Sequence, residues 1–291
     1  MTPAAGPELE PRPFEAVAGG GNVLRGEASG SGPAVVQAHG ITAARKYVTH
    51  GSRLLQRQGF TAVAYDARGH GESDRAPAGE TYTYAELARD MGAVVESQSP
   101  RASVVLAGHS MGAHTAAAFV LANPNGIAGI VAVGPASRGE PPSPETIAYW
   151  DALADGLDRG GIDGFIEVYD DGSHDPAWRD VVLRLARQRL GLHRDLGAVA
   201  AALRSTTRSV PFEGIEVLES LAVPTLVVAS HDTADPGHPY AVAEEWARRI
   251  PEARLVSEAE GESPLAWQGG KLSREIAAFC EEPAVRERLG A

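Results

Sequence analysis

Five short apolar runs punctuate the chain: P-A-V-V-Q-A (33 to 38), F-T-A-V-A-Y (60 to 65), S-V-V-L-A (103 to 107), G-I-V-A-V (129 to 133) and P-T-L-V-V-A (224 to 229). They are Val-rich and do not alternate with polar residues, which predicts central strands covered on both faces. Between them the apolar period lengthens to that of amphipathic helices, at roughly 43 to 58, 83 to 98 and 111 to 122, then at about 239 to 249 and 270 to 281. Strands alternating with helices imply an α/β fold built on a mostly parallel sheet. A-R-L-V-S-E (253 to 258) predicts the last strand, and G-G-G-N (19 to 22) a hairpin turn joining two strands at the N-terminal side. From Pro135 to about Pro211 the alternation stops, and only amphipathic segments such as A-W-R-D-V-V-L-R-L-A-R-Q-R-L (177 to 190) appear, flanked by the turn-rich G-E-P-P-S-P (139 to 144). A helical insertion of that size between core strands reads as a cap over the ends of the sheet, with an oligomerisation appendage as the alternative. The expected organisation is a tail at 1 to 12, a core at 13 to 135 and 213 to 291, and a cap at 136 to 212.

Composition narrows the partners. A formal net charge of −12 argues against nucleic acid and anionic membranes, which reward a positive footprint, and leaves small molecules or proteins, a homodimer included. Cys280 is the single cysteine, so an internal disulfide and a cysteine-based zinc site are excluded, which suits a reducing cytoplasm. The N-terminus has no basic-then-apolar leader pattern, and no segment has the length of a membrane span. Neither a metal-ligand cluster nor a phosphate-binding glycine loop is present, so no cofactor is expected.

One motif carries chemistry. G-H-S-M-G (108 to 112) fits G-x-S-x-G, and it lies directly after the strand S-V-V-L-A and before the small-residue helix A-H-T-A-A-A-F. A nucleophile on a sharp strand-to-helix turn needs glycine two residues away on either side, where a Cβ would collide, and the helix N-terminus favours developing negative charge. Ser110 is therefore the candidate nucleophile.

With that elbow in place, residues 14 to 282 resemble the α/β-hydrolase superfamily, particularly its lidded esterase-like, lipase-like and peroxidase-like branches. The resemblance rests on H-G-I-T (39 to 42), Y-D-A-R-G-H-G-E-S-D (65 to 74), the elbow, and the acidic loop A-S-H-D-T-A-D-P-G-H-P (229 to 239). It implies that the main-chain N–H groups of Ile41 and Met111 form an oxyanion hole, and that His39 anchors the loop. Arg68 and Asp74 are expected to pair and fix their loop, and His70, His109 and His114 are badly placed as bases. It also implies Asp232 as the acid, four residues before Pro236, with Asp235 as runner-up because the loop is a residue short. Either aspartate could instead cap the following helix.

The base is where the sequence departs from the family. The loop that usually carries a histidine reads G-E-S-P-L-A-W (261 to 267), so Glu262 occupies its place, and no histidine follows His238. Glu262 beside Asp232 would share a proton, since two neighbouring carboxylates do not both ionise cheaply. A histidine from elsewhere, His238 being nearest by topology, is the other source. Three functions follow: a serine enzyme acting on an ester, thioester or related acyl group; a non-hydrolytic acyltransferase, lyase or cyclase; or an inactive ligand-binding homologue. Trp150, Phe165, Tyr169 and Trp178 of the cap, with His39 and His238, are candidates to line a substrate pocket, although aromatic residues at helical spacing also build cores. Arg138, near the cap's start, is a candidate for meeting an anionic group.

Overall fold

The computed structural model describes residues 9–231, 235, 237–258, 267 and 270–290. Eight strands are found among them: β1 (Arg12–Val17), β2 (Val23–Gly30), β3 (Ala34–Ala38), β4 (Thr61–Tyr65), β5 (Val104–His109), β6 (Ile127–Val133), β7 (Thr225–Ala229) and β8 (Arg254–Ser257). They form one sheet in the order β1-β2-β4-β3-β5-β6-β7-β8. The β1–β2 hairpin closes through Gly19–Gly21 and pairs antiparallel with β4, whereas all pairs from β4 to β8 are parallel. β1 begins at Arg12, the last residue of the stretch expected as a tail.

Within the sheet, alternate residues go to opposite faces and both faces are covered. Val36, Leu106, Ile130, Ala132 and Val227 join one core with Met91, Ala117 and Trp246, while Val35, Val105, Val131, Leu226 and Val228 join the other with Leu55, Ile276 and Phe279. This is why the strand sequences show no polar alternation. The first core is covered by α2 (Tyr84–Gln98), α3 (Met111–Ala122) and α7 (Tyr240–Arg249), the second by α1 (Leu54–Arg57), α8 (Gly270–Cys280) and α9 (Pro283–Leu289). The helix expected at 43 to 58 is reduced to a single turn at Arg45–Tyr47 and the short α1. His50 at φ 48° and Gly51 at φ 74° break it, because consecutive left-handed residues cannot continue a right-handed helix.

Between β6 and β7 lie α4 (Pro144–Tyr169), α5 (Arg179–Leu190) and α6 (Leu196–Thr206). Ser143 caps α4 through the Thr146 N–H with Pro144 in the first turn, and Asp195 caps α6 through the Ala198 N–H. These helices bury their own core around Leu153, Leu157, Phe165, Leu190, Val199 and Leu203. The cap is tied to the sheet domain by Arg75–Asp195 at 2.5 Å and by Thr206 Oγ1 donating to the Tyr82 carbonyl at 2.6 Å.

α4 is two helices joined at Gly160 and Gly161, the latter at φ 58° and ψ −141°. They touch where Gly156 and Gly164 meet: a Cβ on Gly164 would lie 2.2 Å from the Gly156 carbonyl oxygen. Alanine favours a helix over glycine by ~1 kcal/mol, but a backbone clash cannot be relieved by turning a side chain and overpacking costs ~1–3 kcal/mol. Gly164→Ala is therefore expected to lower the urea midpoint of unfolding; a raised midpoint would show that the contact is not tight.

Candidate active site

β3 and β5 are neighbours with Ala38 opposite Gly108, although β4 separates them in sequence. The chain leaves this pair in opposite directions across the sheet, so a crevice forms at their carboxyl ends, where ligands bind in open α/β sheets. The register sets His39-Gly40-Ile41 beside His109-Ser110-Met111, and a Cβ on Gly40 would be 3.5 Å from that of Ser110.

Ser110 has φ 53° and ψ −114° at the N-cap position of α3. With His50 and Glu252 it is one of three non-glycine residues of positive φ among the described residues. The flanking glycines show what the turn demands. A Cβ on Gly108 would be 2.2 Å from the Gly112 carbonyl carbon, and one on Gly112 would be 2.1 Å from the Ala38 carbonyl oxygen. A serine at a helix N-cap normally spends its hydroxyl on the first turn, but Ser110 makes no such bond. The N–H groups of Ile41 and Met111 likewise have no acceptor among the described residues.

Both amides are held by rigid neighbours. His70 Nε2 donates to the Ile41 carbonyl at 2.7 Å, and the Ile41 side chain packs against both the cap core and the cluster of Met111, Tyr84 and Leu87. Arg68 does not pair with Asp74 as the sequence suggested. It makes a two-pronged bond to the buried Asp90 of α2 at 2.6 and 2.7 Å and reaches Glu80, whereas Asp74 meets Arg25 and Arg194. The fork of an arginine suits a carboxylate approached end-on, which Asp90 offers from the facing helix.

The histidines sort by what their nitrogens already do. His39 Nε2 accepts from the Ala67 N–H at 2.9 Å while Nδ1 donates to the Gly40 carbonyl at 2.8 Å. His114 Nε2 accepts from the N–H groups of Ala136 and Ser137, with Nδ1 at 2.9 Å from the Tyr84 hydroxyl. His193, on the loop between α5 and α6, accepts from the Gly71 N–H at 2.8 Å and donates to the Thr42 carbonyl at 3.1 Å. Burial pushes all three down to about 3, so each is a neutral structural ring. Burial first and the His238 charge second likewise lower His109 to about 3.

His238 differs. Its Nδ1 is 2.8 Å from Asp235 Oδ2, and its Nε2 has no hydrogen-bond partner among the described residues. The ring packs over Gly134, with Cδ2 and Cγ 3.4 Å from where a Cβ would stand, and its centroid is 5.1 Å from that of His109. Gly134 follows Val133, whose carbonyl accepts from the Ser110 N–H at 2.8 Å, so His238 overhangs the elbow. Burial works against the Asp235 charge, but the charge and hydrogen bond of His238 outweigh it and hold the carboxyl well below the usual range. Asp232 and Glu262 lie outside the described residues, as does any comparison of Asp232 with Asp235 for nearness to Glu262.

Sequence reasoning missed Glu258 at the end of β8. This buried carboxylate accepts from Ser230 Oγ, from the His231 N–H at 2.8 Å and from Trp267 Nε1 at 2.9 Å, clamping the loop after β7 to the one after β8. Of the cap aromatics, Phe165 is buried in the cap core with Trp150 and Tyr169 packed against it, and Trp178 is half-buried before α5. Arg138 pairs with Glu245 at 2.7 Å. Among the described residues no group of His, Cys, Asp and Glu could hold a metal ion, and no helix is long and apolar enough to cross a membrane.

The sheet order, the elbow after β5 and the helical cap after β6 together define the α/β-hydrolase fold. Residues 31–159 match the family model of serine aminopeptidases, S33 (Hydrolase_4). Epoxide hydrolase 2 of Siraitia grosvenorii is 33% identical over 102 residues, 35% of this chain and 32% of its own. The 2-(acetamidomethylene)succinate hydrolase of Mesorhizobium japonicum is 32% identical over 104 residues, 36% of each. The chain thus spans about a third of the length of these relatives. A malate-bound thermophilic esterase from Thermogutta terrifontis superposes with a TM-score of 0.74 at 24% identity, covering 95% of this chain and 97% of its own.

Proposed function

We propose that this chain is a serine hydrolase acting on a small-molecule ester, thioester or related acyl compound. Ser110 is the nucleophile, the Ile41 and Met111 amides bind the oxyanion, and His238, oriented by Asp235, is the general base. What carries the reading is the Ser110 turn: a strained serine whose hydroxyl is unspent among the described residues, beside two amides that are also unspent among them. Strain of this kind costs of order 1–3 kcal/mol and persists where function over-determines it. The relatives' names, an epoxide hydrolase, a succinate-derivative hydrolase and an esterase, favour water as the acceptor over acyl transfer to another alcohol.

His238 Nε2 takes the Ser110 proton as Oγ adds to the acyl carbon, and the carbonyl oxygen becomes an oxyanion between the two amides. Asp235 stabilises the imidazolium and fixes the tautomer that leaves Nε2 as acceptor. His238 then returns the proton to the leaving alkoxide or thiolate, and water repeats the cycle to release the acid. His238 thus fills the role for which the sequence offered Glu262.

A fluorophosphonate is expected to add its phosphonyl group to the wild-type protein on the peptide containing Ser110, and to leave Ser110→Ala unmodified. Intact wild-type protein after prolonged exposure would remove the nucleophile assignment.

A further inference from the structure

We infer that Arg189, on the last turn of α5, is a substrate-binding residue that selects acyl groups bearing a carboxylate; this rests on the hydrolase reading above and names its substrate class. Arg189 is half-buried, and its Nε is buried with no hydrogen-bond partner. Elsewhere in the cap the guanidinium groups are satisfied or in water. Arg179 meets Asp170, Arg187 meets Asp163, Arg204 meets Asp155 and Asp158, and Arg208 meets Asp151, whereas Arg159 and Arg184 are exposed. Among the described residues Arg189 forms no ion pair. A guanidinium held away from water with a vacant donor is costly unless something supplies an acceptor.

Its surroundings say where that acceptor would be. Arg189 lies close enough to influence the Tyr169 hydroxyl, and its charge is felt at Asp235 on the β7 loop, at His109 beside the nucleophile and at His50 after β3. These residues come from four parts of the fold, and one of them, His109, immediately precedes Ser110. Burial is the main reason His50 and His109 stay neutral, so neither competes with Arg189 as a cation. Asp235, the nearby carboxylate, is engaged by His238 and leaves the guanidinium available.

The charge arithmetic favours a monovalent carboxylate over a phosphate. There is one free cation among the described residues here and an ionised aspartate close by, which would repel a dianion. The whole chain carries a net charge of −12, so long-range steering opposes any anion. That repulsion is screened over ~8 Å at physiological ionic strength, and inside the cleft the local guanidinium decides. Arg138, the cation suggested by sequence, is spent on Glu245.

The test uses a matched pair of esters, mono-p-nitrophenyl succinate and the neutral p-nitrophenyl pentanoate. The ratio of their kcat/KM values, charged over neutral, is expected to fall ~10–10²-fold in Arg189→Met, as for loss of a charge-assisted hydrogen bond, with Arg189→Lys between. A ratio unchanged in Arg189→Met overturns the proposal, and thermal unfolding of each variant separates this from a misfolded cap. Binding is read independently of turnover by the rise in Tm that succinamate gives to Ser110→Ala. That rise should vanish in Ser110→Ala/Arg189→Met and should not be produced by butanamide. If no ester is turned over but the succinamate shift appears and depends on Arg189, the hydrolase reading fails and the carboxylate site stands. Turnover of the neutral ester with neither preference nor shift fails the carboxylate site alone.

Discussion

His238→Ala is expected to lower kcat for a small activated ester by ~10²–10⁴-fold, the usual worth of general-base assistance. His39, His114 and His193 each use their acceptor nitrogen on a backbone N–H, and no base can take a proton on a lone pair already engaged in the scaffold. Among the described residues His238 alone combines a carboxylate on one nitrogen with a second nitrogen that has no partner there and a position over Gly134. Asp235→Asn should lower kcat as well, since it removes the charge that stabilises the imidazolium and unsettles the tautomer. KM should change little in either case if the interaction forms only in the transition state. The competing assignment predicts a different pattern. If Glu262→Gln carries the loss and His238→Ala does not, a carboxylate pair with Asp232 is the working base and the role given to His238 is wrong.

The strands and the elbow were legible because each is dictated locally. A Val-rich run has no polar face to expose, and glycines at 108 and 112 answer to collisions of 2.2 and 2.1 Å that any side chain would suffer. The helix expected at 43 to 58 failed for a reason visible only in the backbone: non-glycine His50 adopts a left-handed conformation that its residue type does not announce. Arg68 was given the wrong partner because Asp74 is near in sequence, whereas Asp90 is brought across by the packing of α2. Pattern reasoning reached His238 and Asp235 only as second choices for base and acid, since their meeting depends on how the chain turns after β7.

Arg189 did leave a trace. In α5 the residues Val182, Ala186 and Arg189 recur at helical spacing beside the fully buried Leu190, so a guanidinium stands on the apolar stripe that faces the domain. A charge on the buried face of an otherwise amphipathic helix is paired, or awaits a ligand. Sequence spacing does not distinguish the two, because the neighbours of Arg189 come from α4, the β7 loop and the strand carrying the nucleophile.

Unfolding stability is expected to fall steeply as pH drops from about 6.5 toward 5, by as much as ~4 kcal/mol per pH unit, given ~1.4 kcal/mol per unit for each proton bound only by the unfolded chain. The deeply buried rings responsible are His39, His114 and His193, exposed by 1%, 5% and 9%, whereas His109, lowered likewise, is only half-buried. Burial lowers their pKa to about 3 in the fold, while in the unfolded chain they titrate near the ordinary value of 6.5. Because the folded value is the depressed one, their contribution is fully present above 6.5 and declines as the unfolded state takes up protons that the fold refuses, down to about 3. Geometry reinforces the refusal: a protonated ring would turn an N–H against the backbone N–H of Ala67, Ala136 or Gly71. Acidification also lessens the repulsion within a chain of net charge −12, which works the other way but is spread over a screened surface. With domain stabilities of ~5–15 kcal/mol, the loss is enough to unfold the protein in mild acid. Urea midpoints at pH 7, 6 and 5 measure it, and His193→Asn should lessen the slope by about a third while lowering stability at pH 7. A midpoint that holds constant from pH 7 to 5 would mean that these rings accept protons in the folded state.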